Sequence, residues 1–295
     1  MGRHLIFLLS GIASMASGQT AWTPDPAGDS KGGPDLIAVR AVASNGVLTL
    51  GARFTPRKFD SKTTRVAWVL DTDHDAATGS RGIFGAPGVG GRVEDARYVG
   101  AEAVALVVGA CDMGSVQTYN SQTTKWALGE LLASSVLSDG FDAYVPLSSL
   151  GKSDSHISFK TLAYRFSGEC PPASISLVVH DVAPDMGKPA ATAQEANSAL
   201  PAPQLSSPGE GAVFDTFPRK TALQWSGVSG AVGYLVQVQY KDGADWRALV
   251  FRLTADASSE FDFVGAQEGR WRVWGVDANG LAGASSPWLR FRYSR

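Results

Sequence analysis

The sequence predicts an all-β protein made of two β-sandwich domains, the first a jelly-roll or immunoglobulin-like sandwich. From Asp35 onward apolar residues alternate with period two, and the runs break at glycine, proline or Asx. The chain holds 33 glycines and 15 prolines against only 18% charged residues, a composition that suits short strands joined by many turns. No amphipathic helical repeat of ordinary length accompanies them, so stacked sheets are the way to bury the apolar faces.

At 295 residues the chain is long enough for two ordinary domains, each able to bury a core, and its 44% hydrophobic content excludes disorder of the whole. A formal charge of −2 supplies no positive field to gather phosphate backbones or anionic lipid. Nucleic acid is therefore not an expected partner.

Residues 1–18 read as a signal peptide: a basic start at Arg3, an apolar run from Leu5 to Ile12, then small residues at Ala13, Ala16 and Gly18. Cleavage is expected near Gly18 or Gln19, with a short uncleaved anchor as the alternative. The run falls short of the roughly 20 residues that span a bilayer, and no comparable run follows, so no transmembrane segment is expected. The domains are expected outside the cytoplasm: secreted, periplasmic or on the cell surface. Cys111 and Cys170, the two cysteines, are then expected to form a disulfide, with two buried thiols as the alternative. Closing that loop of about 60 residues stabilises a fold by about 4 kcal/mol in the chain-entropy model.

After an N-terminal segment over 19–34, the first domain is expected over 35–184. Its candidate strands are Asp35 to Ala43, Val47 to Phe54, Arg65 to Leu70, Ala101 to Gly109, Val116 to Tyr119, Phe141 to Val145, His156 to Phe166 and Ile175 to Val179. Asn45-Gly46 is a hairpin signal, because both central positions of that tight turn want positive φ. Short helical turns are expected at Leu147 to Leu150 and at Gly129 to Val136. Residues 185–204, DMGKPAATAQEANSALPAPQ, are rich in Ala and Pro with almost nothing to bury, and read as a linker with a transiently helical middle.

Residues 205–295 carry a second set of strands. Tyr234, Val236, Val238 and Tyr240 share one face of a strand, with Leu235, Gln237, Gln239 and Lys241 opposite. Trp271, Val273 and Gly275 share a face further on, and Asn279-Gly280 makes a turn before the end. Pro208, LQW around Trp225, GAVGYLVQV, WRVWGVDANG and the closing SSPW together resemble a fibronectin type III domain, over nearly all of 203–295. The resemblance implies a second sandwich with Trp225, Tyr234 and Trp271 in its core; Trp271 stands where that family usually has a tyrosine.

The sharpest chemical signal is VAWVLDTDHDAATGSRG, where a strand ends in Asp71, Asp73 and Asp75. Three carboxylates at alternate positions repel one another unless solvated or paired with a cation, and calcium accepts six to eight oxygens at such a loop. It is not an EF-hand, since Ala76 and Gly82 stand where that motif needs glycine and glutamate. The run resembles the DTD-x-[DN]-x-x-TG turn of β-sandwich domains in exported bacterial proteins, which implies Glu102 as a further acidic partner. Calcium bound by Asp71, Asp73, Asp75 and Glu102 is one reading, and a solvated Asx-rich turn is the other. No other cofactor is expected.

His74 is expected exposed. His156 and His180 are scattered and do not make a zinc site; Met113, Met186 and His180 form no haem motif. No G-x-S-x-G elbow occurs. The glycine-rich Gly82 to Gly91 is broken by Pro87, and Gly151-Lys152-Ser153 lacks the upstream glycine of a phosphate-binding loop. The remaining candidates are aromatic. Trp274 lies out of phase with Trp271, on the outer face beside Arg272, and Trp246 and Trp288 sit near strand starts. These residues either stack on a sugar or a protein partner, or Trp274 is covered by the linker or the first domain. The expected function is a non-catalytic binding or architectural protein contacting an extracellular protein or glycan. The alternative is a secreted glycoside or peptide hydrolase, or an accessory module of one.

Overall fold

The computed structural model describes residues 22–75, 77–80, 100–108, 113–151, 156–165, 179–185 and 187–295. The leader over 1–18, Cys111, Cys170, Gly82 to Gly91 and most of the expected strand Ile175 to Val179 lie outside those residues.

The chain is all-β. In order, the first part runs β1 (Thr23–Pro24), β2 (Leu36–Ser44), β3 (Val47–Phe54), β4 (Thr64–Asp71), β5 (Ala103–Val108), β6 (Met113–Asn120), β7 (Lys125–Leu131), β8 (Ala133–Val136), β9 (Gly140–Pro146), β10 (Ser158–Arg165), β11 (Val179–Ala183), β12 (Ala191–Thr192) and β13 (Gln194–Glu195). One sheet has the order β1-β2-β3-β9-β8 with β13 on β2, and the other β11-β10-β4-β5-β6-β7 with β12 on β10. The chain changes sheet between β3 and β4, β7 and β8, and β9 and β10, which closes the sandwich. Alternate residues of both sheets fill the space between them, among them Leu48, Leu50, Phe54 and Phe141 from one and Val66, Trp68, Leu70 and Phe159 from the other.

Two expected turns fare differently. Leu147–Leu150 is a single 3-10 turn closed by Gly151. Gly129 to Val136 is not helical: it is the end of β7 and all of β8, with Leu132 buried where the chain crosses between sheets. Pairing of β8 with β9 satisfies its backbone groups, and Leu128, Leu131 and Leu132, three and four apart in sequence, mimic a helical spacing. Residues 187–204 also differ from expectation. Ala190 to Ala199 is extended, β12 and β13 pair with β10 and β2, and Ala193 is buried.

The second sandwich runs β14 (Leu205–Ser207), β15 (Ala212–Phe214), β16 (Lys220–Trp225), β17 (Gly233–Asp242), β18 (Asp245–Thr254), β19 (Ser258–Asp262), β20 (Glu268–Val276), β21 (Ala282–Ser285) and β22 (Leu289–Tyr293). A sheet β14-β16-β19 faces a sheet β15-β22-β20-β17-β18, with β21 on β20. Trp225, Tyr234, Val236, Val238, Trp271 and Val273 form its core as the period-two pattern predicts. The Tyr234 hydroxyl accepts the Val228 N–H at 2.8 Å, so the polar tip of a core aromatic is satisfied.

The two sandwiches are docked. Val47, Ala133 and Tyr144 of the first pack against Leu235, Phe251, Trp274, Val276 and Ala282 of the second. Ser44 Oγ and Asn45 Nδ2 donate to the Ala282 carbonyl at 2.8 and 2.9 Å, and Thr49 Oγ1 donates to that of Gly280 at 3.1 Å. Gly280 has φ 75°, and a Cβ there would stand 3.0 Å from the Arg40 guanidinium. The Asn279-Gly280 turn read from sequence therefore needs glycine both for its backbone and for its approach to the first sandwich.

Candidate functional site

Three features of the fold gather chemically capable side chains. The first is the acidic loop at the end of β4. Asp71 Oδ1 accepts the Asp73 N–H at 3.2 Å, Asp73 Oδ1 accepts that of Asp75 at 3.0 Å, and Asp75 Oδ1 accepts that of Ala77 at 2.9 Å. Three successive Asx turns thus shape the loop. Thr78 Oγ1 donates to the Asp73 carboxylate at 2.8 Å, and Glu102 Oε2 accepts the Thr72 N–H at 2.8 Å. Gly79, at φ 64°, lets Glu102 approach: a Cβ there would fall 2.1 Å from Glu102 Oε1. Carboxylate oxygens of Asp71, Asp73 and Glu102 lie within 4.8 Å of one another. Asp75 is not part of that cluster; it is exposed and caps the turn. Burial, with the neighbouring acids adding to it, raises the carboxyls of Asp71 and Glu102 above their usual range. His74 is exposed as expected, its ring 6.2 Å from that of His156.

The second feature is a ladder of alternating guanidinium and indole groups on the outer face of β17, β18 and β20. Trp274 pairs across the sheet with Leu235, Arg272 with Gln237 and Arg270 with Gln239. The Arg270 guanidinium lies 4.3 Å from both Trp246 and Trp288, and that of Arg272 lies 4.3 Å from both Trp288 and Trp274. Gln239 accepts from Arg270 Nε at 2.8 Å, and Gln237 from Arg272 Nε at 2.9 Å, which fixes both planes. Each rung is a cation–π contact worth about 0.5–2 kcal/mol, more where water is excluded.

The ladder corrects the idea that Trp274 is an outward-facing binding residue. It is 1% exposed, and its Nε1 donates to the Asn45 carbonyl of the first sandwich at 3.2 Å. An apolar stripe of Leu235, Phe251 and Trp274 on an outward face is a liability unless covered, and the first sandwich covers it. Arg272 is sandwiched between two indoles and is likewise a structural rung. Trp246, at the far end, is half-buried and lines a groove with Tyr240, Arg247 and Leu131. Trp126, which the sequence left unassigned, sits on β7 with its ring 5.4 Å from that of Tyr119.

The third feature is a cleft of about 680 Å³ at the junction of the sandwiches, lined by Trp22, Arg40, Arg53, Asp142 and Tyr144 and by the 276–280 turn. Arg40 and Arg53 lie 4.6 and 4.5 Å from the Trp22 ring. Both reach Asp142, Arg53 Nη1 at 2.9 Å and Arg40 Nη2 at 3.5 Å, and Arg53 also approaches Asp139 at 3.7 Å. The cleft was missed from sequence. Trp22 stood in an unassigned segment, and Arg40 is a single charge in an otherwise apolar strand, the one signal that could have pointed there.

No protein-family profile matches the chain, and no curated protein matches it. Among solved structures, it is similar to a Fn3-like protein from Clostridium thermocellum at 21% identity, over 33% of this chain and 97% of that one, with a TM-score of 0.26. It is similar to the fn3 domain of human collagen alpha-1(XX) at 20% identity, over 33% of this chain and 88% of that one, with a TM-score of 0.25. The chain has fibronectin type III-like neighbours. A beta-1,2-glucanase from Parabacteroides distasonis aligns with 88% of this chain and 33% of its own length, at 13% identity and a TM-score of 0.27.

Proposed function

We propose that this is an exported, non-catalytic binding or architectural protein. Its two docked sandwiches present the junction cleft to an extracellular glycan or protein, and calcium bound by Asp71, Asp73 and Glu102 braces the loop of the first. The observation that carries the reading is the state of the carboxylates in the cleft. Asp142 is held by two arginines and Asp139 by one of them, while the indole of Trp22 and two planar guanidinium groups line the wall. That arrangement favours stacking and bidentate hydrogen bonding over acid–base work, which needs a free acid opposite a free base. The donor set of the loop, three converging oxygen ligands, is that of a hard cation.

Glycan-array binding of the mature protein, wild type against Trp22→Ala, tests the cleft. The expected result is binding that falls at least tenfold in the variant, with every bound glycan recovered at its original length. Shortened glycans or released reducing sugar would replace this reading with that of a hydrolase. For the loop, about 5 mM calcium is expected to raise the melting temperature of the wild type relative to chelator, and Asp73→Ala to remove that part of the rise which the loop contributes. A variant with the full wild-type response would leave the loop an Asx turn and nothing more.

A further inference from the structure

A second group of acids shares no residue with the Asp71 loop. The short strand β1 hydrogen-bonds along β2, and the Asp25 N–H donates to the Ile37 carbonyl at 2.9 Å, which turns Asp25 inward beside β11. The following turn is stapled to β11 by the Lys31 N–H on the His180 carbonyl and by His180 Nδ1 against the Lys31 carbonyl, each at 2.9 Å. These contacts bring five aspartates together from two distant stretches of sequence, 25–35 and 181–185. Carboxylate oxygens of Asp25, Asp29 and Asp185 all lie within 4.8 Å of one another, and so do those of Asp29, Asp35 and Asp181.

The five are not equivalent. Asp35 is occupied: it accepts N–H bonds from Gly28 and Ser30, the Thr55 hydroxyl at 2.7 Å, and has Lys58 Nζ at 3.5 Å. Asp181 accepts the N–H groups of Leu36 at 2.6 Å and Val182 at 2.9 Å. These two form a fixed frame. Asp25 is the opposite case. It is 8% exposed, both of its carboxylate oxygens are shielded from water, and neither has a hydrogen-bond partner. One of those oxygens is aimed at Asp29 and Asp185. A buried carboxylate with no donor costs several kcal/mol unless it is protonated or meets a cation. Burial, then the charges of Asp181, Asp185, Asp29 and Asp35, push the Asp25 carboxyl up to about 8. Two ammonium groups border the cluster, Lys58 and the buried Lys160, whose Nζ donates to the Asp185 main-chain carbonyl at 3.3 Å. Among the described residues, two ammonium groups thus face five acidic side chains. Asp29 is exposed and provides the route from solvent.

We propose that Asp25, Asp29 and Asp185 are the ligands of a hard divalent cation, calcium above all, with Asp181 and Asp35 holding the frame behind them. The ion joins the N-terminal strand, the β2 edge and the end of β11, so it ties residues more than 150 apart in sequence into one corner of the first sandwich. This site is independent of the Asp71 loop and of the cleft.

The test is done in an Asp73→Asn background, so that the loop does not contribute. Melting temperature is measured with chelator and with calcium at about 5 mM, for that protein and for the same protein carrying Asp25→Asn and Asp185→Asn. With calcium near 100 times its dissociation constant, the background is expected to gain about 5–10 °C. The two extra substitutions are expected to reverse sign with condition: above the background in chelator, where they relieve repulsion, and below it in calcium, where they remove ligands. An unchanged melting temperature between chelator and calcium in the background would overturn the site. Loss of the loop's contribution alone leaves the outcome for this site untouched.

Discussion

Trp274→Ala is expected to lower the free energy of unfolding by about 3–5 kcal/mol, the range for deleting a fully buried aromatic side chain. The indole does three things at once. It fills the apolar contact with Val47, Ala133 and Tyr144, it donates to the Asn45 carbonyl, and it closes the last rung over Arg272. Alanine leaves a cavity at the junction, a carbonyl without its donor, and a guanidinium with one indole instead of two. Each sandwich keeps its own inter-sheet core, since neither Trp68 nor Trp271 touches this position's role. The loss should therefore appear as uncoupling: one urea transition in the wild type and two in the variant, with the second sandwich melting at its own midpoint. Trp274→Phe keeps the ring against Phe251 but forfeits the hydrogen bond, and is expected to cost about 1 kcal/mol for that bond plus the smaller packing. A single transition within 1 kcal/mol of wild type for Trp274→Ala would show that the junction does not couple the halves.

The separation between what was legible and what was not follows the range of the interactions. Period-two burial is local, so β2, β3, β4, β9 and, in the second sandwich, β16, β17, β20 and β22 could be read directly, as could the Asn45-Gly46 and Asn279-Gly280 turns. The face assignment of Trp274 was also right: it does lie opposite Trp271. What covers that face depends on Val47, Ala133 and Tyr144 of a partner sheet, 130 to 227 residues away, and no local pattern carries that information. Residues 187–204 were misjudged for the same reason. Alanine and small polar residues have little to bury, yet a strand needs only free backbone groups on a sheet edge, and β2 and β10 supply them. The acidic loop was visible because its aspartates alternate within one short run, with Glu102 distant in sequence. Asp75 was overcounted because alternation places it on the same side as its neighbours, whereas His74, at φ 59°, breaks the extended run. The ladder was half-legible: Arg270, Arg272 and Trp274 alternate on one strand, but Trp246 and Trp288 interleave from other segments.

Asp142→Ala is expected to be the most damaging single change outside the cores, at about 3–5 kcal/mol. Arg40 is 6% exposed, and burial pulls its guanidinium below its usual range while Asp142 opposes the shift. Removing the carboxylate leaves that cation buried beside a like charge on Arg53. The two arginines are not equally vulnerable. Arg53 Nη1 retains the carbonyls of Ala52 and Phe141, each at 3.1 Å, and Arg40, at 6% exposed, is the more deeply buried of the two cations that lose Asp142. The sign of the double variant separates pairing from packing. Arg40→Met with Asp142→Leu removes both charges and fills the space with apolar atoms, and is expected to come back to within about 1–2 kcal/mol of wild type. Guanidinium-chloride denaturation of the two single variants and the double gives the coupling energy. A cost for Asp142→Ala below about 1 kcal/mol would mean that water reaches Arg40 and that the pair behaves as a surface bridge. The cleft would then be wetter and looser than its walls imply, and the proposal that it holds a glycan or protein against Trp22 would weaken with it.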